Sequence, residues 1–292
     1  MVDFLRKYQL EIVPTDGKTK IITGLQIEFT VDKGTDSELN KLDISIYNLS
    51  PDTKGMLKES KDTVIRLKSA YRNGTWSNLG DDAPLELIFE GTIFNVRTTR
   101  KKADVITQIS SKDGNVPLRE ARASSQWPEG VTLRQIVLDL VETYFVGISV
   151  GEVLGDALDK KFQNGYSARG PVRKIMDNLT STNQLQWNIT DGIFNIYPKR
   201  TTLTETKLIV TNVLGTPEDI YQDPNKLRNT TEIPDPDGVK FRVLLNPKFK
   251  PGKRIEIDST NISGEYKTEK VTHKGSYRGN VWETMIQAVK VD

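Results

Sequence analysis

Within residues 239–289, short runs of alternating apolar and polar residues follow one another with only turns between them. That pattern, more than any other, restricts what the chain can become. Ile255 and Ile257 share one face of 253–257, and Trp282, Met285 and Ile286 carry the pattern through 281–289 with one break in phase. A period of two gives a strand with one buried and one wet face. Pro251-Gly252 and Arg278-Gly279-Asn280 supply tight turns between such strands. No helical period interrupts them, so this region is expected to be antiparallel sheet closing on itself.

The same period governs the beginning of the chain. Residues 8–14 and 20–31 are expected to be strands around Asp16-Gly17, with Leu25, Ile27, Phe29 and Val31 alternating. Leu42, Ile44 and Ile46 mark the next strand, which ends at Tyr47-Asn48-Leu49. Ser50-Pro51-Asp52 then opens a short helix, with serine as cap, proline at the first helical position and an acid in the first turn. Met56 and Leu57 would dock it on the sheet. A strand at 63–71, a polar loop at 72–84 carrying Trp76, and a long hairpin at 85–98 and 104–111 follow. The basic corner Arg100-Lys101-Lys102 is expected to be a solvated hairpin tip, or else a dock for an acidic neighbour. Six or more strands and one short helix over 1–113 describe a small β-barrel or sandwich.

Composition changes after Asp113-Gly114. Leu133, Ile136, Val137, Leu140, Val141 and Tyr144 form a helical stripe, with Thr132 and Gln135 as a capping box. A second helix is expected from Gly170-Pro171, with Val172, Ile175, Met176 and Leu179 on one side. It leads into a hairpin turning on Asp191-Gly192, where Leu185, Trp187 and Ile189 meet Phe194 and Ile196. A polar linker at 201–206, a strand at 208–213 and a loop rich in Pro and Asp at 215–238 lead to the final strands. The expected organisation is thus 1–114, a β-barrel; 115–200, an α+β insert of helices plus hairpin; and 201–292, a second β-barrel. A length of 292 residues fits two or three units at roughly 100–200 residues each.

Several chemistries are excluded by what is missing. With no cysteine, disulfides, thiolate metal sites and thiol nucleophiles are all ruled out. His273 is the only histidine, which removes multi-histidine metal sites and leaves a single candidate for any histidine-based triad; in a strand it is expected to be a hydrogen-bonded structural residue. Gly17-Lys18-Thr19 resembles the end of a phosphate loop, but Ile12 stands where its first glycine is needed, and strands flank it on both sides. Asp81-Asp82 and the acids of 235–237 sit beside glycine or proline and are expected to form turns. Trp76, Trp127, Trp187 and Trp282 are spread over all units, as core anchors would be. The 41 basic and 39 acidic residues nearly balance, so no overall field steers the chain to nucleic acid. No run of about 18 apolar residues is present to span a bilayer, and the N-terminus lacks a signal peptide's apolar core. The expectation is no enzyme, no catalytic residue, no metal and no cofactor.

The order of features in 239–289 resembles the C-terminal barrel of phage baseplate hub proteins. It is carried by Leu245, Asn246, Pro247, Pro251, Gly252, Asp258, Ser259, Gly264, Tyr266, His273, Gly275 and Trp282. The strand ending in Ile-Tyr-Asn-Leu-Ser-Pro before a short helix resembles the N-terminal barrel of the same family. What this resemblance implies is a mainly β fold, with two small antiparallel β-barrels of tail-tube type flanking the insert. It also implies a homotrimeric ring that joins a sixfold tail tube to a threefold central spike and lines the channel. The implied partners are the tail tube protein, the central spike protein and other baseplate or tape-measure proteins, with DNA passing through and no sequence-specific binding or membrane insertion. The implied location is the virion tail baseplate, after synthesis in the bacterial host cytoplasm. Two alternatives stand beside it: a cell-wall glycan-binding or hydrolase module of a tail tip, and an envelope secretion ring component. The second rests on the resemblance of 170–198 to the small ring-building domains of secretins.

Overall fold

A computed structural model describes residues 6–15, 17–35, 39–59, 62–71, 74–75, 78–79, 84–114, 120–203, 207–220, 237–260 and 262–291. The first segment contains β1 (Arg6–Val13), β2 (Lys20–Ile22), β3 (Ile27–Gly34), β4 (Lys41–Tyr47), α1 (Pro51–Glu59), β5 (Val64–Tyr71), the short pair β6 (Gly74–Thr75) and β7 (Asn78–Leu79), β8 (Glu86–Lys101) and β9 (Asp104–Lys112). The second contains β10 (Arg122–Trp127), α2 (Leu133–Tyr144), β11 (Ser149–Val153), a 3-10 turn at Asp156–Asp159, β12 (Tyr166–Pro171), α3 (Val172–Thr182), β13 (Leu185–Thr190) and β14 (Ile193–Pro198). The third contains β15 (Leu208–Val210), β16 (Glu218–Ile220), β17 (Gly238–Leu244), β18 (Arg254–Ser259), β19 (Ile262–Ser276) and β20 (Trp282–Lys290). The fold is mainly β with an α+β insert, as the sequence predicts.

Among the described residues, the two β segments do not form separate closed cylinders. Apart from the separate pair β6–β7, their described strands make one sheet in the order β16-β17-β20-β19-β3-β4-β9-β8-β5-β1-β2, with β18 and β15 branching from β19. The cause is the length of β19. Its first part pairs with β18 from Arg254↔Lys267 to Ser259↔Ile262, and beyond that β3 takes over the same edge from Lys270↔Gly34 to Ser276↔Glu28. β20 runs along the opposite edge from Tyr266↔Lys290 to Gly275↔Trp282. One strand therefore belongs to both halves, and alternation cannot reveal a pairing across more than two hundred residues.

Other departures have local reasons. The run 20–31 is two strands, because Gly24 takes φ +76°, a left-handed conformation that breaks an extended chain. β2 folds back on β1, whereas β3 crosses to β4 and β19. The loop expected at 215–238 contains β16, which pairs with β17 from Glu218↔Lys240 to Ile220↔Gly238. The strand expected over 208–213 stops at Val210.

The insert follows its sequence closely. The Thr132 hydroxyl accepts the Gln135 N–H at 3.2 Å and the Gln135 side chain accepts the Thr132 N–H at 2.9 Å, closing the capping box on α2. Leu133, Ile136, Val137, Leu140 and Val141 of α2 are buried, as are Val172, Ile175, Met176 and Leu179 of α3. They cover Leu185, Trp187, Ile189, Phe194 and Ile196 of the β13–β14 hairpin. Among the described residues, apolar burial falls into three clusters. One lies in the insert, one around Leu10, Ile12, Phe29, Ile44 and Phe89, and one around Phe241, Ile255, Val271 and Ile286. Leu245 and Trp282 come from the third segment but sit in the cluster of the first.

Candidate functional site: a polar junction between insert and sheet

Three adjacent strands end in buried polar residues at the same edge of the sheet. In β3 the inward phase of Ile27, Phe29 and Val31 continues to Lys33, which is 2% exposed. In β4 the phase of Leu42 and Ile44 begins one step earlier at Asn40, also 2% exposed. In β9 the phase of Thr107, Ile109 and Ser111 runs on to Asp113. The Asp32↔Lys41 and Lys41↔Lys112 pairings put these three side chains in a row, and the Asp113 N–H donates to the Asn40 carbonyl at 3.0 Å.

The insert plugs into this row with its hairpin turn. Asp191 and Gly192 have φ of 53° and 77°, which a two-residue turn of the right-handed hairpin twist requires. Lys33 Nζ donates to Asp191 Oδ1 at 2.6 Å, and Lys250 Nζ, from just before β18, stands 3.2 Å from Oδ2. The Asp113 carboxylate accepts the N–H of Asp191 at 2.5 Å and of Gly192 at 3.3 Å. Asn40 donates to the Ile189 carbonyl at 2.7 Å. All three segments therefore meet at one buried turn. A second tie lies beyond it, where Lys267 of β19 donates to the Lys199 carbonyl at 2.5 Å and its ammonium lies 5.0 Å from the Tyr197 ring centre.

Burial, and then the neighbouring Asp191 charge, push the Asp113 carboxyl up to about 7 against the pull of Lys33 and the Asp191 N–H. Burial, and then the Lys33 charge, push the His273 imidazole down to about 3; its Nδ1 lies 2.9 Å from Thr284 Oγ1. Burial likewise lowers Lys267 to about 8. Relative to an unfolded value of 3.8, the raised Asp113 binds an extra proton in the folded state, so its contribution is full below that value and is lost as pH climbs through about 7. His273 acts in reverse: the unfolded imidazole, at 6.5, binds the proton that the folded one lacks until about 3, so stability rises with pH in between. Over pH 5–6 the two contributions oppose one another. The variant Asp113→Asn is expected to expose the histidine alone, with stability climbing by about 1 kcal/mol per pH unit where the parent stays nearly level. Urea unfolding at pH 5, 5.5 and 6 measures this, and a level profile for the variant contradicts the assignment.

The junction residues were not singled out by sequence, although its turn was. The signal was there in Lys33 and Asp113, charged residues prolonging an inward phase. Of the candidates that sequence did raise, Asp81, Asp82, Trp76 and Asp235 lie outside the described residues. Asp237 lends its carbonyl to Lys290 N–H at 3.0 Å, and Gly17 sits between β1 and β2. Trp187 is buried and donates to Asp177 at 3.0 Å, whereas Trp127 donates to Asp139 at 3.1 Å at the surface. Among the described residues no group of three His, Asp or Glu is placed to hold a metal ion, and no helix is long and apolar enough to cross a membrane. What the junction does is mechanical: it fixes the insert's orientation against the sheet.

No protein-family model matches the chain, and no curated protein matches it in sequence. Solved structures do match in shape. The 43 kDa tail protein of prophage MuSo2 from Shewanella oneidensis superposes with a TM-score of 0.65 at 10% identity, covering 97% of each chain. A tail protein from Neisseria meningitidis MC58 gives 0.64 at 10% identity over 97% of this chain and 96% of that one. A type VI secretion component from E. coli, similar to the T4 bacteriophage tail proteins gp27 and gp5, gives 0.59 at 10% identity over 96% of this chain and 77% of that one. Over nearly its whole length, then, the chain has the fold of these tail and secretion-system proteins.

Proposed function

We propose that this chain is a structural hub of a phage tail baseplate. Three copies form a ring that joins the sixfold tail tube to the threefold central spike and lines the channel between them. The observation that carries this reading is a fold matched over nearly the whole length of two tail proteins. The internal design agrees with it. Two β bodies joined through β3 and β19 give three copies six bodies around an axis, a means of matching sixfold to threefold symmetry. We take 1–114, 115–200 and 201–292 as the three domains, with Leu245 and Trp282 of the third reaching into the core of the first. The role is structural rather than catalytic, the location is the virion tail, and synthesis takes place in the host cytoplasm.

Light scattering on the purified chain, alone and mixed with its spike protein over a range of concentrations, tests the ring. A mass of three chains in either condition is expected. A monomer in both, at the highest concentration reached, overturns it. The likeness to a type VI component favours a second setting for the same hub, a headless injection machine. Electron micrographs of particles containing the chain, with or without DNA-filled heads, separate the two.

A further inference from the structure

The ends of the sheet carry a more specific message, which rests on the ring reading. β8 pairs with β5 from Ser69↔Glu86 to Val64↔Thr92 and, on its opposite edge, with β9 from Thr92↔Lys112 to Lys101↔Asp104. The Ile93 N–H still donates to the Thr63 carbonyl at 2.9 Å, and beyond it no described strand pairs with the β5 edge of β8. An edge of this length, about 26 Å at ~3.3 Å per residue, is a template for another strand. It is also basic. Arg97, Arg100, Lys101 and Lys102 are exposed, and none forms an ion pair with a described residue.

Two open β8 edges pairing with each other would bring these cations together, and like charges facing across a ladder are destabilising. A twofold contact is thus disfavoured, and the edge calls for an acidic strand. The other end of the same sheet supplies one. There β16 is the terminal strand, with Glu218 and Asp219 exposed; it covers Gly238, Val239 and Lys240 of β17, and the Leu214 N–H donates to the Arg242 carbonyl at 2.7 Å. Lys240 pairs with Glu218 at 2.7 Å, which leaves Asp219 as the uncompensated charge.

We infer that the outer half of β8 in one copy adds, edge to edge, to the outer edge of β16 in the next copy, repeating between chains the kind of seam that β3 and β19 make within one. The contact joins unlike surfaces, so it propagates head to tail and closes only as a ring. Because the chain has no cysteine, the pairing can be trapped directly. Thr99→Cys combined with Asp219→Cys should give, on mild oxidation, covalent species up to the trimer, while either single variant stays uncross-linked beyond dimers.

A second measurement does not depend on register. Arg97→Glu with Arg100→Glu should weaken association at least tenfold by light scattering, and adding Asp219→Lys should restore most of it. Either result supports the pairing. If the trimer persists with no cross-link and no effect of charge reversal, the ring stands and the edge assignment falls. If the parent chain is monomeric both alone and with its spike, both fall.

Discussion

Asp191→Ala is expected to destabilise the protein by about 3–5 kcal/mol, the range for removing one partner of a buried ion pair. The loss has a clear origin. Lys33 is 1% exposed at its side chain and has its 2.6 Å partner in Asp191, so the variant strands an ammonium in the protein interior. Lys250 loses its contact as well, although at 31% exposure it can turn to water. Alanine keeps the Cβ that aspartate already carries at a φ of 53°, a left-handed conformation that costs a residue with a Cβ about 1–2 kcal/mol. Asp191→Gly removes the charge without that strain and should lie below alanine by about this amount. Denaturant unfolding of the two variants separates the terms. A loss under about 1 kcal/mol for alanine would mean that Lys33 reaches solvent, and that the junction is looser than its geometry.

The ion pair also explains why the insert is held by polar groups at all. Apolar contact alone would let the β13–β14 hairpin slide on the sheet, since such contact has no direction. Two N–H groups aimed at Asp113 and one carboxylate between two lysines fix both position and angle. A ring component transmits load through its attachments, so a directional anchor suits the proposed hub better than a greasy one.

Much of this architecture could be read locally. Thr132, Gln135 and the stripe from Leu133 to Val141 specify α2 within one stretch of chain, and Asp191-Gly192 specifies its turn by backbone chemistry alone. Strands with only a faint alternation were missed. Arg-Ala-Ser-Ser-Gln-Trp of β10 and Tyr-Ser-Ala-Arg-Gly-Pro of β12 turn Ala123, Trp127, Tyr166 and Ala168 inward, but so few apolar residues barely mark a face, and Ser-Val-Gly-Glu-Val of β11 is mostly exposed. They become strands because a partner is at hand: β10 and β12 hydrogen-bond to each other, and β11 lies parallel to β14. The seam between β3 and β19 and the row of Lys33, Asn40 and Asp113 were illegible for a related reason. Each residue of the row looks like an ordinary polar strand end until the register brings them together. Sequence period assigns faces, whereas register assigns neighbours.

The second large effect concerns the seam. Trp282→Ala is expected to destabilise by about 3–5 kcal/mol, as for a buried aromatic truncated in a core. Trp282 begins β20, yet its ring is 4% exposed within the cluster of the first segment. Phe29 of β3 meets it edge-on at 5.5 Å, and the Arg6 guanidinium covers it at 5.4 Å. Arg6 also donates to the carbonyls of Ser276 at 3.0 Å and Gly279 at 2.5 Å, and Tyr277 packs edge-on against Tyr8 at 4.9 Å. The turn between β19 and β20 is thus clamped onto β1 and β3, with Trp282 filling the space beneath it. Gly275 makes the room, because a Cβ there would be driven into the Phe29 ring. Trp282 Nε1 is buried with no hydrogen-bond partner among the described residues, so Trp282→Phe discards an unsatisfied donor while keeping most of the packing. Its loss should therefore be less than about half that of alanine. Hydrogen exchange locates the damage: in Trp282→Ala the amides shared by β3 and β19 should lose protection before those of the insert. Equal losses for Phe and Ala, or faster exchange first in α2 and α3, would remove Trp282 from its place as the bolt between the two β bodies.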